Sequence, residues 1–67
     1  MITIKLNGKD KTLKREMDIE TFLTLKGLKK ESVVVMINEN IIKKDRFETT
    51  YIKDKDEVEI LRFVSGG

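Results

Sequence analysis

The chain has no cysteine, no histidine, no proline and no tryptophan among its 67 residues. Without cysteine there is no disulfide framework, no thiolate zinc site and no cysteine nucleophile. Without histidine there is no Ser-His-Asp triad, no imidazole metal ligand and no side chain that titrates unperturbed near neutrality. Carboxylates, amines, hydroxyls, a single Tyr and the two chain ends are what remains for chemistry. These absences argue against a self-sufficient enzyme. A surplus of one charge sign is also missing, because 14 Lys and Arg against 12 Asp and Glu leave +2. That balance lacks the signature of disorder, and it is not the clustered basic face that nucleic acid asks for. Long apolar runs are absent too. The longest, Val33 to Ile37, is far short of a membrane span. The N-terminus alternates instead of forming the apolar core of a signal peptide. The expectation is a cytoplasmic protein with neither nucleic acid nor membrane among its partners.

What is there suits one small domain. Apolar residues make up 39% of the chain, while ordering it costs on the order of 100 kcal/mol at roughly 1.5 per residue. The core must therefore be compact, with no disulfide to help.

Ile2, Ile4 and Leu6 share one parity and Thr3 and Lys5 the other, the period of a half-buried strand. Asn7-Gly8 tolerates the positive φ angles of a type I′ hairpin turn. The return strand, Lys9 to Lys14, has Leu13 as its clear apolar contact and reads as an edge guarded by lysine. Asp18 is placed to cap a helix, with Met17 and Phe22 spaced as a hydrophobic staple. Ile19, Phe22 and Leu23 share a helical face. Gly27 fits a left-handed C′ position, with Leu28 reaching back to Leu23 in a Schellman motif.

The run Val33 to Ile37 suits a central strand covered on both faces. Asn38-Glu39-Asn40 supplies a turn and Ile41-Ile42 a short partner strand. Lys44 to Thr50, polar apart from Phe47, reads as an irregular or short helical connection. Thr50-Tyr51-Ile52 reads as a brief strand or loop anchor, with Tyr51 packed. Lys53 to Asp56 forms a tight turn and Glu57 to Val64 the last strand. The first and last strands are expected side by side in the middle of a mixed sheet of four to five strands. One main helix packs across it, giving a two-layer α+β domain over residues 1–64. Residues 65–67 form a tail.

No P-loop, GxGxxG, CxxC or HExxH pattern is present. Glu57 and Glu59 share a strand face, but beside Lys53, Lys55 and Arg62 they read as solvated. Asp54 to Glu57 lacks the glycine and ligand spacing of a calcium loop. Two features remain. The first is the terminal Gly66-Gly67, which chance would place there in about 0.5% of chains. A frayed end is the plain reading. The chemical reading is that a tail without side chains threads a narrow channel in another protein and leaves the Gly67 carboxylate open. Such a carboxylate becomes an electrophile once ATP adenylates it. The second feature is the last strand, where Leu61 and Phe63 share the face of Glu57 and Glu59. Either that strand is covered on both sides at its end, or Leu61 and Phe63 form an exposed docking patch beside the tail.

Together these residues resemble a known family. The stretch Val-Met-Ile-Asn-Glu-Asn-Ile-Ile ending at Ile42, the segment Asp54-Lys55-Asp56-Glu57-Val58-Glu59-Ile60 and the terminal Val64-Ser65-Gly66-Gly67 are similar to ThiS-type sulfur carriers of thiamin biosynthesis. Asn7-Gly8 and the helix Ile19-Glu20-Thr21-Phe22-Leu23 match as well. The resemblance implies a β-grasp, ubiquitin-like fold and a recycled co-substrate rather than a catalyst. It implies that a ThiF-like adenylyltransferase, using ATP and magnesium that the carrier does not itself bind, adenylates Gly67. A cysteine desulfurase or persulfide protein then supplies sulfur to form a thiocarboxylate. Thiazole synthase, ThiG-like, takes that sulfur into the thiazole ring. Ser65, Gly66 and Gly67 would thread the partner's active site. Two positions depart from the family pattern. Lys55 stands where Gly is common and must accept the turn geometry. Ser65 stands where Gly or Ala is frequent. The small subunit of molybdopterin synthase, a protein-conjugating modifier and a non-covalent β-grasp binding module are the alternatives.

Overall fold

A computed structural model describes residues 1–63. Val64 and the expected tail, Ser65, Gly66 and Gly67, lie outside the described residues. The N-terminal alternation forms β1 (Ile2–Leu6), and Asn7-Gly8 returns it to β2 (Lys9–Leu13). Asn7 and Gly8 take φ values of +50° and +83°, the two positive angles a type I′ turn requires. Their register pairs Leu6 with Lys9 and Ile2 with Leu13.

A two-residue strand, β3 (Met17–Asp18), leads directly into α1 (Ile19–Leu25). The Asp18 carboxylate caps the helix: the Thr21 backbone N–H donates to Oδ2 at 3.0 Å and the Thr21 hydroxyl to Oδ1 at 2.6 Å. At the other end Leu28 N–H donates to the Leu23 carbonyl at 2.9 Å and Gly27 N–H to that of Thr24 at 3.0 Å. With Gly27 at φ +72°, these are the two bonds of a Schellman motif. Seven residues are too few for a helix to stand alone, so burial of Ile19, Phe22 and Leu23 holds it.

A single 3-10 turn, Lys30–Ser32, precedes β4 (Val33–Ile37), and Asn38-Glu39 turns it into β5 (Asn40–Ile42). A second short helical turn at Lys44–Arg46 carries Phe47 into the core, where it is almost fully buried. Then come β6 (Tyr51–Ile52), which pairs antiparallel with β3, and β7 (Glu57–Arg62). The main sheet runs β2-β1-β7-β4-β5, with β7 in the middle, parallel to β1 and antiparallel to β4. One helix across one face of this mixed sheet is the β-grasp arrangement. Its core joins Ile4, Phe22, Leu23, Val35, Ile52 and Val58 between the layers.

Three expectations need correction. β4 is not covered on both faces: Val33, Val35 and Ile37 are buried, whereas Val34 and Met36 are only half-buried. The short chain builds one helix, so among the described residues nothing is layered on the outer face, and cross-strand neighbours supply its partial cover. Tyr51 is not a packed anchor, because it is 51% exposed while its neighbour Ile52 is fully buried. In the two-residue β6, alternation sends one side chain each way. The last strand ends at Arg62, although Phe63 N–H still donates to the Ser32 carbonyl at 2.9 Å.

Candidate functional site

β7 is the strand that leads, through Phe63, toward the Gly-Gly at the end of the sequence. This strand is held from both sides by an asparagine at the head of a type I′ turn. Ile60 N–H donates to Asn7 Oδ1 at 2.8 Å, and Asn7 Nδ2 donates to the Ile60 carbonyl at 3.3 Å. On the other side Glu57 N–H donates to Asn38 Oδ1 at 2.9 Å, and Asn38 Nδ2 donates to Asp56 Oδ1 at 3.1 Å. Left-handed backbone suits Asn in both turns, and the short amide then reaches the neighbouring strand.

The turn before β7 is equally tied down. Lys55 sits at φ +70°, the geometry glycine relaxes. Its N–H donates to the Thr3 carbonyl at 2.7 Å, while Thr3 N–H donates to Asp54 Oδ1 at 2.8 Å. Lys53 N–H donates to Asp56 Oδ2 at 2.8 Å.

Parity then decides what the outer face shows. Val58 and Ile60 point into the core, so Glu57, Glu59 and Leu61 point out. The register sets Val34 opposite Leu61, Met36 opposite Glu59 and Ile41 opposite Met36. Leu61 and Phe63 are each 54% exposed and Ile41 68%. Of the two readings left open by the sequence, the last strand is therefore uncovered at its end. Leu61, Val34, Met36 and Ile41 form a connected apolar surface, with Phe63 next to it in the chain. The opposite half of the face is polar: Lys5 pairs with Asp10 at 3.1 Å and lies beside Glu57, and Thr3 lies opposite Thr12. An apolar half bordered by charge is the composition of a protein-docking surface.

Of the site residues expected from sequence, Leu61 falls on this surface and Phe63, equally exposed, follows it two positions later, while Ser65, Gly66 and Gly67 lie outside the described residues. Sequence reasoning misses Val34 and Met36 because a continuous apolar run reads as core on both faces, and it misses Ile41 because a two-residue strand carries no clear face. For Val34 and Met36 the parity of the even positions in the run is the available signal. Groups with displaced protonation equilibria lie elsewhere. The hydroxyl and backbone N–H of Thr21 hold the Asp18 carboxyl below the usual carboxylate range. The Glu20 carboxylate, 3.3 Å away, raises Lys30. Among the described residues, no helix is long and apolar enough to cross a membrane.

The chain and its fold have relatives among known proteins. The model of the ThiS family matches residues 4–67. Sulfur carrier protein ThiS of Bacillus subtilis (strain 168) is 37% identical over 65 residues, covering 96% of this chain and 98% of that protein. A protein of Porphyra purpurea named ycf40 is 30% identical over 66 residues, covering 98% of this chain and 93% of its own. The crystal structure of a thiamine biosynthesis protein (ThiS) from Geobacter metallireducens superimposes with a TM-score of 0.83 at 32% identity, covering 98% of this chain and 100% of that one.

Proposed function

The chain belongs to the ThiS family, and from that premise we propose that it is a sulfur carrier of thiamin biosynthesis. Its near full-length similarity to the Bacillus subtilis sulfur carrier supports this reading. So does the match to the family through Gly67 itself. The chain is a co-substrate, not a catalyst: it lends partner enzymes a handle and a carboxylate.

The Gly67 carboxylate attacks the α-phosphate of ATP in a ThiF-like adenylyltransferase, and pyrophosphate leaves. ATP and magnesium belong to that partner. The terminal sulfur of a persulfide on a cysteine desulfurase or persulfide protein then attacks the carbonyl carbon and AMP leaves. A thiol of the partner system cleaves the resulting acyl disulfide, forming its own disulfide, and the tail ends as a thiocarboxylate. Thiazole synthase takes the sulfur, and the carboxylate is regenerated. Ser65, Gly66 and Gly67 offer no side chain larger than a hydroxymethyl to obstruct a narrow channel.

The observation that carries this reading is the apolar surface of Leu61, Val34, Met36 and Ile41, close in the chain to Phe63, from which four residues of sequence lead to Gly67. Four extended residues span at most about 14 Å. A partner docked on that surface therefore has its nucleotide site within that reach. The test is intact-mass analysis after incubation with a ThiF-like enzyme, ATP, magnesium and a sulfur donor. Replacement of one oxygen by sulfur, localised to Gly67, is the expected result. An unmodified chain in the presence of an enzyme competent on another carrier overturns the proposal. Sulfur delivery to thiazole synthase, and not to a molybdopterin synthase large subunit, assigns the pathway.

A further inference from the structure

A second surface lies on the far side of the molecule from the apolar half of the sheet. Between the edge strand β2 and helix α1 runs a groove of about 670 Å³. Leu13, Met17, Phe22 and Leu25 line it. Leu13 and Phe22 are buried, Met17 is half-buried, and Leu25 stands 70% exposed on the helix. Lys11, Lys14, Arg15 and Lys26 also line the groove, and no carboxylate does. In a chain whose total charge is only +2, four cations around one apolar groove are a local concentration of sign. Asp10 does not offset it, because it is drawn to Lys5 on the other face of the sheet. The Asp18 carboxylate accepts from Thr21 at the helix cap.

The wall of this groove is an unpaired strand edge. β2 is the outermost strand, and among the described residues nothing pairs with its outer side. Open main-chain groups beside an apolar groove are the requirements for adding a strand from another chain. We propose that this groove binds an extended acidic peptide segment of a partner protein as an extra strand on β2. Its apolar side chains enter between β2 and α1, and its carboxylates meet Lys11, Lys14, Arg15 and Lys26. Peptide is favoured over nucleic acid because single-stranded nucleic acid needs exposed aromatic faces for stacking, and the one aromatic ring of the groove, Phe22, is buried. β2 and β5 are opposite edges of the sheet. A partner held here leaves Leu61 and Ile41 free, so the groove serves as a tether separate from the surface of the sulfur-carrier reading.

The test is amide chemical-shift titration of the full chain. The probe is an acetylated heptapeptide of alternating valine and isoleucine followed by three glutamates. Saturable shifts across Lys11–Arg15 and Thr21–Lys26 are expected. Binding should be at least tenfold weaker when lysines replace the glutamates, and at least tenfold weaker to the double variant Lys11→Glu/Arg15→Glu. Both residues are exposed, so the spectrum of the free variant reports an intact fold. Leu61→Asp should bind the probe unchanged, which separates this proposal from the sulfur-carrier reading. Absence of saturable shifts, equal binding of the lysine peptide, shifts confined to Val34 and Leu61, or tighter binding of an oligouridylate in the groove overturns it.

Discussion

The side chain of Asn7 is bonded at both ends to the backbone of Ile60, 53 positions later in the chain. Asn7 must leave β1 at φ +50° to begin the hairpin turn, so its backbone cannot continue beside β7 in extended form. Its own N–H still donates to the Val58 carbonyl at 2.9 Å. The amide then supplies the next rung of the ladder, serving both polar groups of Ile60. One residue thus closes a local hairpin and a long-range strand pairing.

Replacing Asn7 separates the two roles. Asn7→Gly keeps the left-handed turn and loses two hydrogen bonds worth roughly 0.5–1.5 kcal/mol each, so a loss of about 1–3 kcal/mol is expected. Asn7→Ala adds the left-handed penalty of about 1 kcal/mol. Urea denaturation should rank wild type above Gly and Gly above Ala. A glycine variant as stable as wild type would show that the clamp contributes nothing.

Lys55 presents the reverse case. Its φ of +70° is imposed by the bonds around the turn, not favoured by its side chain. Lys55→Gly removes a left-handed penalty of about 1–2 kcal/mol and adds unfolded-state entropy of about 0.4–1 kcal/mol. A net gain of up to about 1.6 kcal/mol is expected in a thermal melt. Gly27→Ala should shift the melt the other way, because Gly27 shares the angle (φ +72°) and a Cβ there meets no atom within 4 Å, leaving backbone strain as the cost.

Acid should weaken the helix cap. The Thr21 bonds lower the Asp18 carboxyl in the folded state, so the unfolded chain binds the proton first as pH falls. The stabilisation is complete above the ordinary Asp range and is lost as pH drops through the lowered folded value, below about pH 4. The carboxylate is near solvent, so screening keeps its charge contribution small. Asp18→Asn retains a cap and should show a shallower loss below pH 4. Asp18→Ala should cost about 1 kcal/mol at neutral pH. Parallel pH slopes for Asn and wild type would contradict the assignment.

The outer surface should yield binding without stability. Leu61→Asp, Phe63→Asp and Ile41→Asp replace residues more than half exposed, so melting should shift by no more than about 0.5 kcal/mol. Sulfur loading by the adenylating partner should fall about tenfold or more if these side chains are anchors. Unfolding of all three variants would make them structural, and unchanged loading would remove the surface from the docking model.

Deleting Gly67 should abolish ATP-dependent loading and leave the melting curve unchanged, since among the described residues the buried ones run from Ile2 to Ile60. Loading that survives the deletion would place the acceptor carboxylate elsewhere.

The features legible in the chain are those governed by neighbours a few positions away. Asn7-Gly8 demanded a hairpin, Asp18 a cap and Gly27-Leu28 a helix end, because each is a backbone geometry satisfied by residues within about five positions. Parity placed Leu61 and Phe63 together, and Gly66-Gly67 was conspicuous as sequence alone. The tertiary structure decided what needs two distant segments at once. Whether Val34 and Met36 are core or surface depends on how many layers the fold builds, and a five-residue apolar run looks the same in either case. Tyr51 and Ile52 differ only in which of them faces the helix layer. Ile60 could not announce that an asparagine side chain 53 positions away would complete its hydrogen bonds. Local backbone chemistry is written residue by residue, while burial belongs to the assembled layers, and the exposure of Leu61 and Ile41 is a property of those layers.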